Sequence, residues 1–265
     1  MNTSGPGLRL AARDGGKGAP GVAPVVLLHG LFGHAGNFGA IQRRLAEHRR
    51  VIALDLRNHG ASPHAQAMGY LAMAADVLET LAQLGALPAV LVGHSMGGKV
   101  AMAVTQAAPG QVHRLCVVDI APRAYASDFA RYATAMAAIP LDSRLSRAQA
   151  DRMLAEVEPD AGVRQFLLQN LRFDRDPPVW RINLAAIAAA LPELSAWVPD
   201  AAMRYAGPAL FIAGSRSDYI RLEDRPAITR HFPSARFATI AGAGHWVHAE
   251  APDEFVGVLG RFVHG

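Results

Sequence analysis

The chain has 265 residues, of which 51% are hydrophobic and 18% are charged, so its composition excludes a disordered protein and allows a sizeable core. A single cysteine, Cys116, excludes an internal disulfide framework and favours a reducing compartment, so we expect a cytoplasmic protein. The net charge of +4 comes from scattered arginines and only two lysines, without the continuous basic patch that nucleic-acid binding requires.

Neither a leader peptide nor a membrane span is predicted. Residues 1–21 lack the basic head, apolar core and small-residue cleavage site of a secretion signal. Apolar runs such as residues 184–191 are far shorter than the roughly 18 residues that a spanning helix needs. We therefore expect no nucleic-acid or membrane partner, and either a monomer or a small homo-oligomer.

Short apolar runs alternate with helical patterns along most of the chain. The apolar runs predict buried strands at residues 24–28, 50–54, 89–92, 115–118, 208–213 and 236–240. The helical patterns lie between them, at residues 37–47, 70–84, 96–107, 222–231 and 252–263. This alternation is typical of βαβ units and predicts an α/β fold with a mostly parallel sheet flanked by helices.

The alternation stops between Pro122 and Tyr205, where several helices are predicted in a row with no strand between them. One of these helices is predicted to begin at Ser146, because Gln149 three residues later completes a capping box. A helical insertion between two parallel strands is expected to cover the carboxyl edge of the sheet, where such folds bind ligands. The predicted organisation is a core of residues 1–121 and 206–265 with a helical cap of residues 122–205.

Residues 91–98 read LVGHSMGG, in which Ser95 follows a predicted strand and opens a predicted helix. This context turns the pattern G-x-S-x-G into a predicted nucleophile elbow. Gly93 and Gly97 fit it because a side chain two residues to either side of the serine would collide across the tight turn. Ser95 is therefore the predicted nucleophile.

A serine hydroxyl is a poor nucleophile at neutral pH and needs a base within hydrogen-bond reach. His245 is the candidate, because it lies between the last predicted strand and the last predicted helix, in the chain order serine, acid, histidine. Two aspartates compete to orient it: Asp119 at the end of one strand and Asp218 after the next. His248 is interpreted as structural, and the pair of His245 and His248 matches no zinc pattern, so no metal is predicted.

Acyl transfer also needs donors for the developing oxyanion. The backbone amide of Met96 is one candidate, and that of Leu31, in the HGLFG loop after the first buried strand, is the other. Aromatic and neighbouring side chains are expected to shape the substrate pocket. The candidate substrate-binding residues are Phe32, His94, Phe129, Tyr132, Trp180 and Trp246.

The segments HGLFGHAGN, LDLRNHGASPH, GHSMGGKVAM, VVDIAP and AGAGHWVHAE together resemble the α/β-hydrolase superfamily. They are most similar to small bacterial acyl-ester and acyl-CoA thioesterases and to the related mitochondrial abhydrolase-domain proteins. The resemblance runs from about Val25 to the C-terminus. It implies an α/β-hydrolase fold with the cap between the sixth and seventh core strands, and it implies that Asp119 is the acid. The role of the RNHG segment, Arg57–Gly60, stays open.

The residues and the resemblance together predict a serine hydrolase that cleaves carboxyl esters or thioesters through an acyl-enzyme, without a cofactor. The expected substrates are small molecules with short to medium acyl chains, acyl-CoA among them. Two alternatives stay open. One is a C–C bond hydrolase or lyase that uses the same three residues, and the other is a non-catalytic protein that binds a small ligand.

Overall fold

The structure is a computed structural model that describes residues 7–126 and 128–264. A seven-stranded sheet forms the centre of this part of the chain. Residues 1–6, at the start of the segment interpreted as lacking a leader, lie outside the described residues. The sheet strands are β1 (Ala12–Gly15), β2 (Val25–Leu28), β3 (Val51–Leu54), β4 (Ala89–His94), β5 (Val112–Val118), β8 (Ala209–Gly214) and β9 (Ala235–Ile240). Two short strands, β6 (Leu171–Arg172) and β7 (Val179–Trp180), pair separately as a hairpin.

The main sheet has the strand order β1-β3-β2-β4-β5-β8-β9, and every neighbouring pair is parallel except β1 with β3. Parallel strands end at the same edge, so the residues that follow β2, β4, β5, β8 and β9 are brought together there. The predicted mostly parallel sheet is confirmed. The antiparallel edge strand β1 was not predicted, because its sequence, ARDG, is polar and exposed.

Helices cover both faces of the sheet. They are α1 (Gly39–Ala46), α2 (Tyr70–Gln83), α3 (Met96–Ala107), α4 (Phe129–Ala137), α5 (Arg147–Ala155), α6 (Ala161–Leu168), α7 (Leu184–Ala196), α8 (Arg225–His231), α9 (Val247–Glu250) and α10 (Pro252–His264). Short 3-10 helices lie at Ala35–Phe38, Pro109–Gln111 and Leu222–Asp224.

Alternate residues of β2 belong to different cores, as the two-residue period of a strand requires. Val26 and Leu28 lie in the core that contains α2 and α3, whereas Val25 and Leu27 lie in the core that contains α1 and α10. A strand buried on both faces has no polar side to alternate with. This explains the continuous apolar run by which β2 was predicted.

Between β5 and β8 the chain forms α4 to α7, which we call the cap helices. The predicted start of α5 is confirmed, since the Ser146 side chain accepts from the Gln149 amide and Gln149 in turn binds the Ser146 amide. The expectation that no strand interrupts these helices is wrong, because β6 and β7 lie between α6 and α7. Strands of two residues are too short to produce an alternating pattern.

The resemblance implied a cap between the sixth and seventh core strands, and the number of strands that precede the cap helices in the structure differs from this. Among the described residues the main sheet has seven strands, and the cap helices follow its fifth and precede its sixth in chain order. The cap boundaries at residues 121/122 and 205/206 stay a prediction. None of the helices in the described ranges combines the length and the apolar character that crossing a membrane demands.

Candidate active site

Ser95 lies in the sharp turn between β4 and α3, with φ of +52° and ψ of −119°. Residues other than glycine rarely adopt a backbone conformation with positive φ, and the glycines around Ser95 leave space for the tight turn. A Cβ on Gly93 would lie 2.1 Å from the Gly97 carbonyl oxygen, and a Cβ on Gly97 would lie 2.2 Å from the Leu28 carbonyl oxygen. Only glycine fits at either position, so the turn presents Ser95 at the carboxyl edge of the sheet.

Ser95, His245 and Asp119 form one chain of hydrogen bonds. Ser95 Oγ lies 3.0 Å from His245 Nε2, and His245 Nδ1 lies 2.7 Å from Asp119 Oδ2. Asp119 follows β5 and is fully buried. Its carboxylate also accepts from the Gly214 amide and the Ser217 hydroxyl. With Nδ1–H donating to Asp119, His245 has Nε2 free to accept the Ser95 proton.

Asp218 does not take part in this chain. Its side chain is 90% exposed and lies 4.0 Å from the guanidinium of Arg221. The loop after β8 instead contributes its neighbour Ser217, whose hydroxyl donates to the carboxylate of Asp119. Of the two rival acids, the structure therefore brings only Asp119 to His245.

Two further histidines, His94 and His248, lie close to His245. His94 Nε2 lies 2.8 Å from the His245 carbonyl oxygen, and its ring packs 4.7 Å from the His245 ring and 4.8 Å from the His248 ring. His248 also stacks on Phe38 at 4.5 Å. Burial lowers the pKa of His248 to about 4 and the pKa of His94 well below its usual range. Both rings are neutral at pH 7. His94 contacts His245 directly, and His248 packs against His94.

The candidate oxyanion donors lie on two elements that flank Ser95. Met96 is the first residue of α3, where a helix leaves its leading amides without intrahelical acceptors. Leu31 lies in the turn after β2, which the Gly33 amide closes by donating to the Gly30 carbonyl at 3.0 Å. The next amide in this turn, that of Phe32, is already bound to His59 Nε2 at 3.2 Å. This leaves Leu31 as the candidate donor of the loop.

The conformation of this turn is fixed from both sides of Phe32, whose φ is +59°. His59 accepts from the Phe32 amide, and Asn170 Nδ2 donates to the Phe32 carbonyl at 2.7 Å. His59 belongs to the RNHG segment, and Asn170 comes from the region of the cap helices. Sequence reasoning did not identify either contact.

The RNHG segment is itself anchored by a buried ion pair. Arg57 binds Asp76 of α2 with two nitrogens, at 2.6 and 2.7 Å, and Arg57 also donates to the carbonyl groups of Ala67 and Ala72. His59 Nδ1 lies 2.9 Å from the Arg57 carbonyl. Burial lowers the pKa of His59 to about 4, so His59 is neutral and its Nε2 can accept from Phe32. The segment thus holds a buried acceptor, His59 Nε2, against the loop of the candidate oxyanion donor Leu31, which we call the oxyanion loop.

Two cavities meet at Ser95. The larger, about 230 Å³, runs past His245 and Trp246, and we call it the outer cavity. The smaller, about 50 Å³, runs past Met96 and Lys99, and we call it the inner cavity. Four residues line both: Leu31, Ser95, Phe129 and Tyr219. The Tyr219 ring stacks on the His245 ring with centroids 4.0 Å apart.

Five of the six candidate substrate-binding residues line these cavities, namely Phe32, His94, Phe129, Tyr132 and Trp246. Trp180 does not, because it pairs with Leu171 in the β6–β7 hairpin and packs against the core. Sequence reasoning missed Lys99 and Tyr125 on the inner wall. The available signal for Lys99 was its position one helical turn after Ser95 in a chain with only two lysines.

A family model described as the alpha/beta hydrolase family matches residues 25–258. The chain belongs to this family. The α/β-hydrolase fold and the resemblance inferred from the motifs are thereby confirmed.

Several α/β hydrolases of known sequence or structure are similar to this chain. The sn-1-specific diacylglycerol lipase ABHD11 of Xenopus tropicalis is 44% identical, over 92% of this chain and 79% of its own length. The esterase YbfF of Escherichia coli is 38% identical, over 91% of this chain and 93% of its own. A solved marine microorganism esterase superposes with a TM-score of 0.91 at 34% identity, covering 96% of this chain and 99% of its own. The chain is thus an α/β hydrolase of the esterase and lipase type.

Proposed function

We propose that this α/β hydrolase cleaves small carboxylic esters through an acyl-enzyme, with Ser95 as nucleophile, His245 as general base and Asp119 as the acid that orients it. The observation that carries the proposal is the continuous hydrogen-bond chain from Ser95 through His245 to the buried Asp119, placed where two cavities meet. The esterases and lipases among the relatives support the same reaction class.

The geometry accounts for each step of such a reaction. Ser95 Oγ attacks the ester carbonyl while its proton passes to His245 Nε2, and Asp119 stabilises the imidazolium that forms. In this proposal the amides of Leu31 and Met96 bind the developing oxyanion. When the tetrahedral intermediate collapses, His245 gives the proton to the leaving oxygen. Water then repeats the sequence on the acyl-enzyme.

We infer the placement of the two halves of the substrate from the lining of the two cavities. His245 must reach the leaving oxygen, and it lines the outer cavity, so the alcohol part lies there. The acyl part then lies in the inner cavity, whose volume of about 50 Å³ favours short acyl chains.

Thioesters fall under the same proposal, because the acyl-enzyme is the same and only the leaving atom changes. An acyl-CoA substrate would in addition need basic side chains for its phosphates. Two arginines of the cap region, Arg123 and Arg172, are already paired with Asp224 and Asp174. These two arginines therefore give no support for a CoA site, and the proposal is made for simple esters. Cytoplasmic location and oligomeric state stay predictions.

The test is the rate of hydrolysis of p-nitrophenyl esters from acetate to palmitate, with Ser95→Ala as the matched control. We expect turnover that is highest for short acyl chains in the wild type and disappears in the variant. Rapid quenching of the wild type should show a mass increase of one acyl group on Ser95. Absence of turnover above the Ser95→Ala background at every length would contradict the proposal. It would favour C–C bond cleavage by the same residues, or ligand binding without turnover.

A further inference from the structure

Lys99 lies on the wall of the inner cavity and is 2% exposed. It follows Ser95 by one turn of α3, and its amide donates to the Ser95 carbonyl at 3.2 Å. Residues four apart lie on the same face of a helix. Ser95 and Lys99 therefore line the same cavity.

Two of the three ammonium protons of Lys99 are bound by the protein. Nζ donates to the Arg123 carbonyl at 2.9 Å and to the Trp197 carbonyl at 3.0 Å. Three aromatic rings surround it, with Nζ 5.8 Å from the centroid of Tyr70, 5.1 Å from that of Tyr125 and 5.6 Å from that of Trp197. Within the described ranges, no carboxylate comes within 4.0 Å of the ammonium group.

A buried cation without a counter-ion is costly, because burial removes its hydration. Carbonyl dipoles and aromatic rings compensate only in part. Burial and the nearby Arg123 lower the pKa of Lys99 to about 8, in keeping with this unbalanced charge. The remaining wall of the inner cavity is largely apolar, with Ile120, Leu191 and Leu194. A single anionic group placed at Lys99 would balance the positive charge of the ammonium group and accept a hydrogen bond from its third proton.

We propose that Lys99 binds a carboxylate at the far end of the acyl group, so that the preferred substrates are half-esters of short dicarboxylic acids. This inference rests on the proposed function, which places the acyl group in the inner cavity. The four-residue step from Ser95 to Lys99 spans about 6 Å along the helix axis. A separation of one helical turn suits short dicarboxylic acids, so half-esters of malonic, succinic and glutaric acid are the substrates to compare.

A purely structural role for Lys99 makes a different prediction. Through Arg123 and Trp197, Lys99 links the segment after β5 to the residue that ends α7. If it served only as this link, its loss would impair all esters alike. The deciding quantity is therefore the ratio of kcat/KM for a half-ester to kcat/KM for a neutral ester of matched length.

The experiment compares monoethyl malonate, succinate and glutarate with ethyl butyrate, valerate and hexanoate by pH-stat, in the wild type, in Lys99→Met and in Lys17→Met. Lys17, the only other lysine, is exposed and serves as the matched control. We expect the wild type and Lys17→Met to prefer a half-ester, and the ratio to fall about 10- to 100-fold in Lys99→Met. An unchanged ratio in a folded Lys99→Met variant, or a wild type that prefers neutral esters, would overturn the inference. The wild-type preference decides the matter alone if Lys99→Met does not fold.

A binding measurement separates this inference from the proposed function. Calorimetric titration of Ser95→Ala with monoethyl glutarate and with ethyl hexanoate requires no turnover. Stronger binding of the half-ester, lost in Ser95→Ala/Lys99→Met, would support the carboxylate site even if the wild type hydrolysed no ester. Equal binding of the two compounds would refute the carboxylate site while leaving ester hydrolysis intact.

Discussion

At the scale of single residues, the acid beside His245 shows what the sequence can decide. Strands β5 and β8 are neighbours, with Val118 opposite Ile212, so an aspartate after either strand lies near the same edge of the sheet. The strand pattern alone could not rank Asp119 and Asp218. The ranking comes from burial and direction, since Asp119 is fully buried against His245 and Asp218 is 90% exposed. Ser95 and His245 needed no such choice, because each stood in a distinctive motif.

Exchange of each aspartate for asparagine tests this ranking. Asp119→Asn should lower kcat by about 10⁴-fold, because an amide at this position stabilises the wrong tautomer of His245 and not the imidazolium. Asp218→Asn, the matched control on the neighbouring loop, should stay within about twofold of the wild type, because the Asp218 side chain is exposed and takes no part in the hydrogen-bond chain. The measurement is kcat for a short p-nitrophenyl ester, and the opposite order of the two variants would refute the assignment of Asp119.

At the scale of elements, the loop after β2 is shaped by segments remote in sequence. The HGLFG pattern predicted a loop with oxyanion donors, but its conformation depends on His59, 27 residues away, and on Asn170, 138 residues away from Phe32. No local pattern encodes such contacts, which arise only when β2, the RNHG segment and the cap region are folded together. The loop was predictable, and its supports were not.

Replacement of His59 tests this support. His59→Phe removes the acceptor of the Phe32 amide and leaves a buried donor unpaired, so the neighbouring Leu31 amide should lose its alignment. We expect kcat to fall about tenfold or more with a smaller change in KM, because the oxyanion forms only in the transition state. His59→Gln, which retains an acceptor, should recover part of the loss.

The matched control for this series is His64→Phe, at an exposed position shortly after the RNHG segment. Its kcat should equal that of the wild type. If His59→Phe changed only the midpoint of thermal unfolding and left kcat intact, His59 would be a stabilising residue without influence on the oxyanion loop.

At the scale of the whole molecule, the alternation of apolar runs and helical patterns was sufficient to predict a parallel sheet covered by helices. What it missed were the elements with no periodic signal, namely the polar edge strand β1 and the two-residue strands β6 and β7. The apolar runs predicted β4 and β5, the strands that lead to Ser95 and Asp119, because these strands are buried along most of their length. The strands that lead to the candidate site were therefore predicted more reliably than the strands at the periphery of the fold.

Buried neutral histidines make the stability of the whole molecule depend on pH. His59 and His248 have pKa values of about 4 in the folded chain, whereas an unfolded histidine has a pKa of about 6.5. Between these values the unfolded chain binds protons that the folded chain does not, so the free energy of unfolding falls as the pH falls. From pH 7.5 to pH 5 the loss is about 2 kcal/mol for each of these two histidines. His29 and His94, whose pKa values are also lowered by burial, act in the same direction.

Urea unfolding at pH 7.5, 6 and 5 measures this dependence. We expect the midpoint to move to lower urea concentration as the pH falls, and His248→Phe to make that movement smaller. His113→Gln, at an exposed position, should leave the slope of the wild type unchanged. A midpoint that stayed constant or rose toward pH 5 would contradict the assignment of these histidines as neutral.

The bond between Asn170 and the Phe32 carbonyl has a consequence for the timing of the reaction cycle. Gln169 extends the same connection, since its Oε1 contacts Asn37 Nδ2 at 2.9 Å and His34 Nε2 at 3.1 Å. Any opening that drew Asn170 away to admit a large ester would also release the turn that holds the Leu31 amide. If Leu31 is the oxyanion donor, as we propose, an enzyme open at this point would be unable to stabilise an oxyanion. Closing of the site and the ability to catalyse the reaction would then be gained in the same step.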